Sequence, residues 1–179
     1  METGSIKNLK IYGSYEDFKN VFLEFRKKPY FEDWKDKDIQ EEYEYLSSHG
    51  EIFVKEVLGK VIGLVTLLKG IQRGHNLSLA TNNVGYISDI AVLEEYRRRG
   101  YGTELMQYAI NEFIKNGNDY AYFRTLKIGS MSEPIGLKLG FETMYNEKGE
   151  MITQECSFPR INNCVPEKEE RKFLIKKLR

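Results

Sequence analysis

The run Arg97-Arg98-Arg99-Gly100-Tyr101-Gly102 constrains this sequence most, because of what flanks it. Before it, Tyr86-Ile87-Ser88-Asp89-Ile90-Ala91-Val92 reads as a strand, apolar on both faces as a strand in mid-sheet should be. Leu93-Glu94-Glu95-Tyr96 makes a short turn. After it, Leu105, Met106, Ala109, Ile110, Phe113 and Ile114 fall on one stripe and predict a helix over 100–116, closed by Gly117. A buried strand thus opens directly into a helix. At such an opening the first backbone N–H groups lack intrahelical partners and the helix dipole adds partial positive charge. Both favour a bound phosphate. Glycine at 100 and 102 removes side chains that would keep a diphosphate from the backbone. The arginines add formal charge in a geometry suited to phosphate oxygens. The plainer alternative is that the glycines only shape a turn and the arginines are a solvated face. No Gly-Lys-Ser/Thr ending follows, which excludes a Walker loop, and Leu105 stands where a dinucleotide fingerprint needs its third glycine.

The rest of the chain alternates between the two periods. Residues 6–12 are a candidate strand, and Ser14 with Asp17 marks a helix start ahead of Phe18, Val21, Phe22 and Phe25. That helix runs to about Lys27 and stops before Pro29. A second helix fits 38–48, broken at His49-Gly50. Strands follow at 52–57 and 61–68, joined as a hairpin by Leu58-Gly59-Lys60. Residues 70–83 read as a loop and 84–93 as the buried strand. Beyond the central helix come a strand at 120–126, a short helix at 132–139 ended by Gly140, and a strand at 141–145. A polar stretch with Pro159 and Pro166 precedes a last strand at 172–178. The order β-α-α-β-β-β-α-β-α-β-β describes an α/β fold, a mixed central sheet flanked by helices on both faces. No repeat or linker divides it, so 1–179 is expected to be a single domain.

Charge narrows the function classes. Twenty-seven basic residues cancel twenty-seven acidic ones, so no overall field draws the protein to nucleic acid or membrane. No apolar run approaches the ~20 residues that span a bilayer. Met1-Glu2-Thr3-Gly4-Ser5 lacks the basic-then-apolar pattern of a secretory signal. Cys156 and Cys164 could be bridged but read better as two free thiols in a reduced compartment, and a cytoplasmic protein is expected. His49 and His75 are isolated turn or surface residues, and no Cys/His/carboxylate spacing suggests a metal. Arg171, Lys172, Lys176, Lys177 and Arg179 fit a solvated edge strand better than a nucleic-acid surface.

Arg97-x-x-Gly100-x-Gly102, placed after Ile87-Ser88-Asp89-Ile90-Ala91-Val92, resembles the Gln/Arg-x-x-Gly-x-Gly/Ala signature of the GNAT superfamily of acyl-CoA-dependent N-acetyltransferases. Leu137-Lys138-Leu139-Gly140-Phe141 resembles the family's KLGF helix ending. The resemblance covers roughly residues 52–145. It implies the GNAT fold, with acetyl-CoA as co-substrate in a V-shaped gap between the fourth and fifth strands. Backbone groups of Ile90, Ala91 and Val92 would then meet the pantetheine arm. Arg97, Arg98, Arg99, Gly100, Tyr101, Gly102 and Thr103 would hold the diphosphate. A primary amine, on a small molecule or peptide, would attack the thioester directly, with one backbone N–H stabilising the oxyanion.

The attacking ammonium must first lose a proton. Asp89 is the first candidate base, since it lies on the strand bordering the thioester, although that carboxylate can equally cap backbone or pair with an arginine. Many family members place a tyrosine where this chain has Gly136, and an asparagine where it has Gly129. A thiol with pKa near ~8.5 leaves without much help at neutral pH. Ser132, a nearby tyrosine or water could replace the missing acid. The family builds its acceptor pocket where Tyr30, Phe31 and Trp34 stand, and those rings could receive a cationic amine or simply pack a helix corner. Acidic residues are dense over 32–44, which hints at a basic acceptor or a charged helix face. A homodimer follows by analogy only. The other class of function open to this sequence is a non-catalytic acyl-CoA sensor, kept in play by Gly136. A transferase for larger acyl groups is a third.

Overall fold

The computed structural model describes residues 4–9, 15–26, 35–72, 74–75, 77–128, 131–157 and 168–179, without the side chains of 21, 24–26, 156–157 and 168–169. Its elements are β1 (Ser5–Asn8), α1 (Tyr15–Arg26), α2 (Asp36–His49), β2 (Gly50–Val57), β3 (Lys60–Lys69), β4 (Val84–Val92), α3 (Tyr101–Lys115), β5 (Tyr120–Leu126), α4 (Glu133–Lys138), β6 (Glu142–Thr143), β7 (Thr153–Ser157) and β8 (Lys168–Lys177). A 3₁₀ turn, Glu94–Tyr96, links β4 to α3. Helix α2 begins two residues earlier than its periodicity implied. The Asp38 carboxylate accepts the Lys35 amide at 2.7 Å, which makes residue 38 the third helical position.

The eight strands form one sheet in the order β1-β2-β3-β4-β5-β8-β6, with β7 also on β8. Every pairing is antiparallel except β4 with β5. Alternation along the strands sorts the core into two layers. On one face α3 and α4 cover Phe53, Val65, Ile87, Phe123 and Leu174. On the other, Phe18 and Phe22 of α1 and Ile39 and Leu46 of α2 cover Val54, Leu64, Tyr86, Tyr122 and Phe173. Helices therefore flank both faces, as the sequence order implied.

Two expectations are corrected. The polar stretch after β6 contains a further strand, β7, whose Thr153–Ser157 pair with Lys172–Lys168. For the same reason β8 is interior rather than a solvated edge. It lies between β5 on one side and β6 and β7 on the other, with Phe173 and Leu174 fully buried. The lysine that suggested solvent, Lys172, is itself buried and bonds Glu133 of α4 at 2.6 Å. A charge in sequence does not reveal whether a partner neutralises it.

A cleft between two parting strands

Strands β4 and β5 pair only over Val84–Ile87 and Tyr120–Phe123. Beyond that point each follows its other neighbour: Asp89 to Val92 stay opposite Thr66 to Gly63, and Arg124 to Leu126 opposite Phe173 to Arg171. A bulge at Ser88, between the Thr66–Asp89 and Leu67–Ile87 pairs, turns β4 away. The gap is a cavity of about 170 Å³ lined by Ile87, Ser88, Asp89, Ile90, Phe123, Arg124 and Ser132.

The bulge fixes Asp89. The buried Thr66 hydroxyl accepts the Asp89 amide at 2.9 Å and donates to its carboxylate at 3.0 Å. One hydroxyl closes the defect in the ladder and aims the acid. Because the Asp89 amide is spent on the β3 side, alternation turns the amide and carbonyl of Ile90 toward β5 and those of Ala91 back to β3. The Val92 carbonyl is taken by Arg97 Nε at 3.0 Å.

At the end of β4 the chain takes two left-handed steps, Arg98 at φ 60° and Gly100 at φ 88°, before α3 begins. An arginine there is an unusual strain at a turn built on arginine and glycine. The first helical bond runs from the Glu104 amide to the Gly100 carbonyl, and no side chain caps the helix. The amides of Tyr101, Gly102 and Thr103 thus precede any intrahelical acceptor. Arg98 and Arg99 are exposed, and the Arg99 guanidinium sits over Tyr96 at 5.5 Å. The Tyr101 ring is core, 5% exposed, so only its backbone faces the mouth. A Cβ on Gly100 would enter open space, whereas one on Gly102 would come within 3.3 Å of Ile135 Cδ1 and 4.0 Å of Val92 Cγ2. Gly102 therefore lets α3 close on α4 and β4, and Gly100 alone keeps the mouth clear.

Gly136 is fixed by packing. A Cβ there would lie 2.5 Å from Phe123 Cζ, so α4 rests its backbone on that ring. Gly136→Tyr should lose about 1–3 kcal/mol of stability from overpacking, measured by urea denaturation. An unchanged midpoint would show that the helix can tilt away. Ser132, just before α4, does line the cavity, 3.0 Å from the Thr125 hydroxyl.

His75 departs from expectation. Instead of lying in a surface turn, it is half-buried with its ring edge-on to Tyr86, Tyr122 and Phe173 at 4.9, 5.8 and 5.6 Å. Its Nδ1 is 3.0 Å from the Tyr122 hydroxyl, which also accepts the Gln72 amide. Burial, reinforced by the Arg124 charge, lowers its pKa from 6.5 to about 4. The unfolded chain then takes up this proton first. The contribution of a neutral His75 is complete above pH 6.5 and is lost as pH falls toward 4. An NMR titration should put the imidazole midpoint near 4; a midpoint near 6.5 would mean the ring is solvated.

Tyr30, Phe31, Trp34 and Gly129 lie outside the described residues. Ser88, Phe123, Arg124 and Thr66 were not anticipated as parts of the site. Arg124 had a signal, being a cation directly after the apolar and aromatic run Tyr120-Ala121-Tyr122-Phe123 in a buried strand. Among the described residues no group of His, Cys, Asp or Glu is placed to hold a metal, and no helix is long and apolar enough to cross a membrane.

Comparison with known proteins gives this arrangement a context. The sequence model of the acetyltransferase (GNAT) family matches residues 19–127, more than half of the chain. An N-acetyltransferase from Staphylococcus aureus Mu50 superposes with a TM-score of 0.72 at 16% identity, covering 99% of both chains. A ribosomal-protein-alanine N-acetyltransferase from Brucella melitensis gives 0.70 at 14%, covering 97% of this chain and 99% of its own. A Bacillus subtilis acetyltransferase in complex with CoA gives 0.64 at 18%, covering 98% and 99%. At these identities the likeness concerns the fold. No curated protein matches the sequence.

Proposed function

The chain belongs to the GNAT acetyltransferase family, and from that premise we propose that it moves the acetyl group of acetyl-CoA to a primary amine by direct attack in a ternary complex. The observation that carries the proposal is the parting of β4 and β5 beside an uncapped helix mouth, with the Asp89 carboxylate in the gap. The family's members are acyl-CoA-dependent N-acetyltransferases, and one structural neighbour is a complex with CoA.

The CoA diphosphate binds at the α3 mouth, on the amides of Tyr101, Gly102 and Thr103, with Arg97, Arg98 and Arg99 around it. The pantetheine arm runs past the end of β4 and its thioester enters the gap, where the Ile90 backbone meets it. The amine enters from the opposite face of the sheet. Asp89 takes the ammonium proton, the nitrogen attacks the thioester carbonyl, and the tetrahedral intermediate collapses as the C–S bond breaks. The leaving thiolate collects, through Ser132 or water, the second proton that the nitrogen sheds on becoming an amide. Proximity of the two bound substrates supplies much of the acceleration.

Gly136, with no room for a tyrosine, favours a second reading: a protein that binds acyl-CoA without turning it over. Loss of a general acid is worth ~10²–10⁴-fold, which slows transfer without silencing it. Incubation with acetyl-CoA and a broad panel of amines, following free thiol, separates the two. Amine-dependent thiol release is expected; CoA binding with no release by any amine would leave the sensor.

A further inference from the structure

The side chains that face the amine side of the gap describe the acceptor. Registered pairs share a face, so Arg124, opposite Phe173, and Arg171, opposite Leu126, lie on the α1/α2 side together with Tyr86, Tyr122 and Asp89. Arg124 lines the cavity, and its Nε donates to the Tyr86 hydroxyl at 3.3 Å, which fixes the plane of the guanidinium. Tyr86 is stacked on Tyr122 at 4.7 Å, so the arginine rests on a packed aromatic base rather than swinging in solvent.

Four of the acids that hinted at a basic acceptor have partners of their own. Asp36 pairs with Lys19 at 2.8 Å, Asp38 caps its own helix, Glu41 meets Lys37 at 3.5 Å and Glu44 accepts from Gln40 at 2.9 Å. Of the described residues that line the gap, Asp89 is the one acid and Arg124 the one base. A polyamine would meet a fixed cation there. A molecule with an ammonium and a carboxylate would meet one complementary group for each.

Building on the transferase reading above, we infer that the acceptor is an amine that also carries a carboxylate, of the amino-acid class, with its ammonium at Asp89 and its carboxylate on Arg124 beside the parted strands. A planar guanidinium receives a carboxylate through paired charge-assisted bonds, so this contact orients the nitrogen as well as retaining the molecule. Arg171 adds charge from the next strand.

Matched pairs test this on the full-length protein preloaded with CoA: lysine against cadaverine, phenylalanine against phenethylamine, methionine against 3-methylthiopropylamine. Calorimetry should give, in at least one pair, an amino acid that binds about ten- to a hundredfold tighter than its decarboxylated partner. Arg124→Gln should erase that preference and Arg124→Lys should restore part of it. Equal binding within every pair, tighter binding of the decarboxylated amines, or no binding by any amino acid overturns the inference. The wild-type comparison stands by itself should Arg124→Gln fail to fold. Thiol release from the same acceptors with acetyl-CoA in place of CoA reports separately on transfer, so a protein that prefers the carboxylate yet releases no thiol would sink the transferase reading and leave the acceptor class standing.

Discussion

Titrated with CoA, a Gly100→Val variant should bind at least ~10²-fold more weakly than the wild-type protein. The diphosphate is proposed to use several amide and guanidinium contacts at the α3 mouth, and charge-assisted bonds contribute about 1.5–3 kcal/mol each. Losing about 3 kcal/mol lowers affinity ~10²-fold. Nothing lies within 4 Å of a Cβ placed on Gly100, so the added side chain would fill the space the anion needs. Valine would also be forced to φ 88°, a strain of about 1–3 kcal/mol, which lowers the melting temperature by a few degrees in a chain this size. Gly59→Val separates strain from blockade. Gly59 sits in the β2–β3 turn at φ 77° with nothing within 4 Å of its Cβ, so it takes the same strain away from the proposed site. It should melt lower and bind CoA as before. Unchanged affinity in Gly100→Val, or an equal loss in both variants, would remove the helix mouth as the CoA site.

What the sequence disclosed and what it hid divide along one line, the separation of the partners. Strand, turn and helix around Arg97–Gly102 are consecutive, and the physics that makes a helix start attractive to phosphate acts within a few residues, so they could be read directly. The same holds for α2, where Asp38 and Lys35 are three apart. Pairings between distant residues left little trace. Thr66 and Asp89 are 23 residues apart, and no local pattern announces that a threonine hydroxyl will occupy a bulge. Lys172 suggested a solvated edge because Glu133, 39 residues away, was invisible as its partner. β7 escaped because its alternation is weak and its ladder is supplied wholly by β8. His75 looked isolated in a glycine-rich loop, yet the aromatic rings that desolvate it come from β4, β5 and β8. The tyrosine missing at Gly136 was legible as an absence, but the Phe123 ring that forbids it was not.

Asp89→Asn should reduce turnover by ~10²–10⁴-fold, the usual contribution of a general base, with CoA affinity untouched. The amide keeps the shape of the carboxylate and can still accept the Thr66 hydroxyl, so the bulge at Ser88 should survive and stability should change little. Only the ability to take a proton is removed. The variant would then depend on acceptor that has already lost its proton in solution. Alkyl amines deprotonate near pH ~10.4, so the variant's rate should climb about tenfold per pH unit through the neutral and mildly alkaline range and approach the wild type at high pH. The competing role for Asp89 is structural, as the partner that closes the β3–β4 irregularity. Thr66→Val tests that role from the other side. It leaves the Asp89 amide without its acceptor and should lose about 1–3 kcal/mol of stability, and it frees the carboxylate to turn, which lowers turnover less than Asp89→Asn does. If Asp89 serves the bulge alone, the asparagine variant keeps both its rate and its pH dependence. That pair of results would return the search for the base to the other groups lining the gap.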